Sequence, residues 1–132
     1  MAIKIESAVN VNQILFCTDP QVSVGVVVDS TAGTEDETTG RTIVKAGTPL
    51  NGDLTARNTA FVKAADDSTG SAGDAKPAVG VLLHDVDVTD GDANGALLIF
   101  GFVNLERIDT TTAALITATR KTELAGKVTF LK

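Results

Sequence analysis

Apolar and polar residues along this chain alternate in short runs, most with the two-residue period of half-buried β-strands. The clearest run is residues 21–29 (QVSVGVVVD), rich in Val and predicted to be a strand. Residues 30–40 (STAGTEDETTG) contain three acids among Ser, Thr and Gly, and this composition predicts an exposed flexible loop. Residues 41–50 (RTIVKAGTPL) resume a strand that ends near Pro49. Asn51-Gly52 then predicts a tight hairpin turn of type I′, which needs positive φ at both central positions. A short strand is expected at 59–64, followed by a second polar loop at 66–76.

The richest stretch begins at Pro77. Val79, Val81 and Leu83 share one parity, whereas Val86 and Val88 have the other, which predicts a bulge or bend near His84-Asp85. A turn over residues 90–95 leads into 96–104 (ALLIFGFVN), which reads as a buried strand pairing antiparallel with the preceding run. Residues 110–124 form the one expected helix, with hydroxyls of Thr110, Thr111 and Thr112 available for capping and Gly126 as its stop. Residues 128–131 (VTFL) close the chain as a strand. Gly25, Gly80 and Gly101 interrupt strand patterns, where glycine marks bulges or close backbone approach.

At the other end, Ile3, Ile5, Val9, Val11 and Leu15 form an odd-numbered apolar series broken at Ser7 and Gln13. This spacing predicts an extended arm or edge strand over residues 1–15, ahead of a single β-rich domain at 16–132. The expected class is therefore mainly β, with one short C-terminal helix and an extended N-terminal arm. A chain of 132 residues suffices for one core without metal or disulfide staples.

Composition narrows the function. Seventeen acids against eleven basic residues give a formal charge of -6, which opposes binding to a phosphate backbone. There is no Trp or Tyr, so the aromatic platforms used for single-stranded nucleic acid and for sugars are scarce. Nucleic acid is not an expected partner. No long apolar run opens the chain, so neither a signal peptide nor a membrane span is expected. The single cysteine, Cys17, excludes an intrachain disulfide and lacks a basic neighbour that would activate it.

Two clusters raise the question of chemistry. Asp90, Asp92, Asn94 and Gly95 reproduce the first half of a calcium loop, but the position that should supply its bidentate Glu is Gly101. The intervening residues are too apolar for a loop, so a hairpin tip is the better reading. His84 with Asp85 and Asp87 lacks the further His or Cys residues of a zinc site and any placed nucleophile. No cofactor, metal site or enzymatic activity is expected.

The segment AVGVLLHDVDVTDGDANGALLIFGFVNLERI resembles the core of head decoration, or head-fibre, proteins of tailed phages. TGRTIVKAGTPLNGDL and the terminal KVTFLK are similar to other phrases of that family, in the same order. The resemblance implies a small β-barrel or β-tulip-like domain that assembles as a homotrimer on the outer capsid surface of the virion. It would sit at three-fold or quasi-three-fold positions, clamp the major capsid protein and stabilise the shell against internal DNA pressure. Such proteins are made in the host cytoplasm and act by binding alone. Residues 1–15 would then contact the capsid through Ile3, Ile5, Val9, Val11 and Leu15, by adding a strand to its sheet. The alternative is a receptor- or carbohydrate-binding β-domain of a phage tail or bacterial surface protein, against which the missing Trp and Tyr count.

Overall fold

A computed structural model describes residues 14–15, 21–65 and 76–131. The protein is mainly β, as the alternation predicts. Its strands are β1 (Val22–Val28), β2 (Thr34–Asp36), β3 (Arg41–Val44), β4 (Pro49–Asn51), β5 (Val62–Lys63), β6 (Gly80–Leu82), β7 (Val86–Asp87), β8 (Ala93–Asn104) and β9 (Val128–Leu131). Two short helices, α1 (Thr110–Ala113) and α2 (Ala118–Glu123), lie before β9.

The larger sheet runs β1-β8-β6-β4-β5, with β9 parallel to the end of β8. It curls until its two edges meet, where Val28 bridges Phe61 immediately before β5. There Phe61 N–H donates to the Val27 carbonyl at 2.7 Å and Asp29 N–H to the Phe61 carbonyl at 2.8 Å. A second sheet, β2-β3-β7, covers one face.

The expected pairing of the two richest strands is observed: Val81 faces Leu98 and Leu82 faces Leu97. All four are fully buried, because β6 and β8 have a core on each face. Val81 and Leu98 join a cluster with Leu15, Val103, Leu124 and Val128 on the helical side. Leu82 and Leu97 join Val44, Leu50, Phe61 and Val86 under the small sheet. The expected bend at His84-Asp85 is where the chain leaves β6 for β7, which changes sheets.

Several expectations require correction. Residues 30–40 are structured, and only 34–40 are exposed throughout: Ser30–Ala32 is a 3₁₀ turn that buries Ala32 in the core, and β2 forms a hairpin with β3. Residues 41–50 are two strands, not one, and β3 and β4 belong to different sheets. The break is at Gly47, whose φ of +97° disfavours any other residue. The Thr48 hydroxyl fixes the same turn by donating to the Lys45 carbonyl at 2.7 Å. Asn51-Gly52 is not a type I′ turn, since no described non-glycine residue has positive φ. Asn51 instead pairs with Val62, and Gly52 leaves room for Phe61, whose ring an added Cβ would strike.

The expected single helix is divided. Thr117 adopts an extended conformation and caps α2, accepting from the Arg120 N–H at 3.4 Å. The anticipated capping by Thr110–Thr112 hydroxyls is absent: Asp109 precedes α1 and makes no side-chain cap. Within α2, Arg120 is buried and pairs with Glu123 at 3.0 Å. Arg120 also donates to the Lys76 carbonyl at 3.3 Å, and Glu123 accepts from the Ala78 N–H at 3.0 Å. This pair therefore fastens the approach to β6 onto the helical layer.

Candidate interaction surface

Of the residues singled out for chemistry, Asp85, Asp87 and Asp92 accept backbone amides. The hairpin tip is a turn in which Gly91 N–H donates to the Val88 carbonyl at 3.1 Å, with Gly91 at φ +129°. Asn94 and Gly95 lie within β8 opposite Val27 and Val26, so they cannot close a calcium loop. Asp92 accepts from the Ser30 N–H at 2.9 Å and ties this tip to the 3₁₀ turn. Asp85 accepts from the Ala46 N–H at 2.7 Å, while Asp87 accepts from the amide and hydroxyl of Thr89. His84 is exposed at the bend. Among the described residues, no three His, Cys, Asp or Glu side chains gather as a metal site, and no helix is long and apolar enough to cross a membrane. Cys17 lies outside the described residues.

A local motif emerges that the sequence reading missed. Asp29, Asp53 and Asp87 each precede a Thr by two positions and accept both its hydroxyl and its amide. Asp36 accepts the amide of Thr38 in the same way. These are turns closed by a side chain that imitates the backbone. The Thr hydroxyl, followed by the amide, holds the carboxyls of Asp29, Asp53 and Asp87 below the ordinary carboxylate range. For Asp36 the Thr38 amide is the main cause. The recurrent D-x-T spacing was a readable signal, obscured because its acids read as solvated loop charge.

Of the expected arm residues, Ile3, Ile5, Val9 and Val11 lie outside the described residues. Leu15 requires correction. It is 3 % exposed and bridges Val103, while the Ile14 carbonyl accepts from the Asn104 N–H at 2.8 Å. Its side chain is a core element of this domain and is unavailable to a partner.

The surface best suited to a partner is the start of the outer edge of β1, ahead of the part closed by Arg57 and Phe61. Val27 directs its N–H and carbonyl away from β8, toward Arg57 and Phe61, and the Gly25 carbonyl accepts from Arg57 Nη1 at 3.1 Å. By the alternation of an antiparallel ladder, Ser23 presents its N–H and carbonyl outward as well. Among the described residues, nothing pairs with it there. Beside this edge, Val22 and its register partner Phe100 are 49 % and 40 % exposed. The expectation that residues 96–104 are wholly buried fails at Phe100. A shallow depression of about 390 Å³, lined by Gly25, Arg57, Asn58 and Asn94 among others, continues the same edge. On another part of the molecule, a polar cleft of about 320 Å³ lies between Lys45, Asp85, Arg107 and Asp109, beside Ile14. The arrangement offers strand pairing and apolar contact, which are means of binding.

No family model matches the chain, and no curated protein matches its sequence.

Proposed function

We propose that this protein is a structural component of a phage virion that binds the outer surface of the capsid and stabilises the shell. In this reading it acts as a trimer at three-fold or quasi-three-fold positions, with the major capsid protein as its partner. The observation that carries the reading on the structural side is the end of the β1 edge at Ser23, unpaired among the described residues and flanked by exposed Val22 and Phe100. A strand edge with unpaired backbone groups recruits an extended segment by main-chain hydrogen bonds, and a flanking apolar pair adds contact area. The sequence side of the support is the family resemblance, whose two principal phrases fall on β6–β7 and on β8. A ligand of the assembled shell stabilises it in proportion to its preference for that state, and no catalytic step is required.

The test is to mix the purified protein with expanded, undecorated capsids and image them by electron microscopy. Density at three-fold sites is expected, together with a trimeric mass in native mass spectrometry. Phe100→Ser should weaken attachment while the domain remains folded. Failure to attach to matched capsids at several salt concentrations would refute the reading.

A further inference from the structure

A small cavity lies between the β2-β3 hairpin, the end of β5 and α1. Its volume is about 80 Å³, and its walls include Thr34, Thr48, Lys63, Thr111 and Thr112 together with Lys45. On the same measure a single water needs roughly 10–15 Å³, so the space holds several waters or one small ion with its remaining hydration, but no nucleoside.

Its chemistry contrasts with that of the whole chain. Acids outnumber basic residues seventeen to eleven, yet this cavity has two lysines and no carboxylate in its wall. Thr34 and Ile43 face one another across the hairpin and both line the cavity, which turns the intervening register pair, Glu35 and Thr42, to the other face. Asp36, the next residue on the Thr34 side, accepts the Thr38 amide within its own turn. Lys63 is half-buried and, among the described residues, forms no ion pair. Lys45 also borders the neighbouring cleft, which contains Asp85 and Asp109, so Lys63 is the cation that belongs to this cavity alone.

The hydroxyls sharpen the assignment. Thr48 is 3 % exposed, but its proton is already engaged by the Lys45 carbonyl. Thr112 is 5 % exposed, lines the cavity and has no side-chain hydrogen bond among the described residues. No unpartnered side-chain oxygen among the described residues is fully enclosed, so the Thr112 hydroxyl is accessible to water. Open to the cavity and without a protein acceptor among the described residues, that hydroxyl is free to donate to whatever occupies the space. Thr34 and Thr111 add two more hydroxyls, and both lysine side chains can only donate.

From this we infer that the cavity binds a small tetrahedral oxyanion, inorganic phosphate or sulfate or the terminal phosphoryl group of a small ester, between Lys63, Lys45 and the hydroxyls of Thr34, Thr111 and Thr112. The inference is independent of capsid binding. The anion would tie α1 to the β2-β3 hairpin and to β5, three parts of the chain joined by few other contacts.

Isothermal titration with inorganic phosphate and with sulfate, at ionic strength held constant with sodium chloride, tests it. Saturable binding with one site per chain is expected. Lys63→Met, which keeps the apolar stem, and Thr112→Val, which keeps the shape, should each weaken it about tenfold, the effect of losing one hydrogen bond to a charged group. Thr112→Ser should restore most of the affinity, and Lys121→Met, on the exposed side of α2, should leave it unchanged. If Lys63→Met does not fold, the Thr112→Val and Thr112→Ser pair decides. Methyl phosphate distinguishes the sources: affinity equal to that of phosphate assigns one oxygen to the cavity mouth, where an ester can be carried, and weaker binding assigns the free ion. Heat effects equal to those of added chloride, or affinities unchanged in both Lys63→Met and Thr112→Val, would overturn the inference.

Discussion

Leu15 separates two accounts of the N-terminal segment, and Leu15→Ala measures which is correct. If Leu15 were the last contact of an arm laid on a partner, truncating it would weaken binding and leave the isolated domain unaffected. The structure instead buries it to 3 % in the cluster with Val81, Leu98, Val103 and Leu124. Leu→Ala at such a site loses the transfer energy of the removed carbons and leaves a cavity, costing about 3 kcal/mol and up to about 5 where the surroundings do not relax. Unfolding entropy near 2.1 cal/mol/K per residue gives about 0.28 kcal/mol per degree for a chain this long, so Tm should fall by about 10 °C. Differential scanning calorimetry of the isolated protein reads this directly, with exposed Val22→Ser as a control expected to change stability by less than about 0.5 kcal/mol. A Tm shift below about 2 °C for Leu15→Ala would refute the assignment to the core. A deletion meant to remove only an arm must accordingly stop at Gln13, because Ile14 is 1 % exposed and belongs to the same cluster.

Arg120→Met should lower stability by about 2–3 kcal/mol in urea unfolding, because it removes the cation beside Glu123 and releases the Lys76 carbonyl; the partial exposure of Glu123 and its remaining bond from the Ala78 N–H keep the loss below that of a fully buried pair. Gly80→Ala places a Cβ 2.7 Å from the Leu98 carbonyl oxygen, backbone that cannot turn aside, and should cost about 1–3 kcal/mol, whereas Gly25→Ala meets nothing within 4 Å and should be neutral within about 0.5 kcal/mol. The four turn aspartates have folded pKa values below their unfolded ones, so their contribution is present above roughly pH 4 and lost as pH falls through the lower folded values. Melting curves from pH 6 to pH 2 should show this acid limb, and Asp29→Ala, Asp53→Ala and Asp87→Ala combined should flatten it.

The strands visible in the sequence are those whose pattern is made by burial. Residues 21–29 were expected as a strand and β1 spans Val22–Val28; the parity change after Leu83 marked the passage from one sheet to the other. β2 escaped because all three of its residues are exposed. Its order comes from ladder bonds to β3 and from the Asp-Thr turns beside it, and neither leaves a hydrophobic trace. The divided helix escaped for a related reason: Ala113, Ala114 and Ile116 fit helical spacing, but the extended Thr117 and its cap on Arg120 are local hydrogen bonds that spacing does not record.

Leu15 and the oxyanion cavity were hidden by distance along the chain. An odd-numbered apolar series looks the same whether it ends on a partner or in the core. Only the bridge to Val103, 88 positions later in the numbering, makes Leu15 internal. Lys63 and Thr112 are ordinary residues on unrelated elements, one in a two-residue strand and the other in a single helical turn. The cavity they line also has the β2-β3 hairpin as a wall, and β2 is the element whose pattern was silent. Reading the acid-rich stretch 30–40 as a loop therefore removed one wall of the cavity from view. The same stretch, once paired with β3, brings Thr34 to the rim of a cavity with two lysines and no carboxylate in its wall, while the neighbouring Glu35 faces the other way.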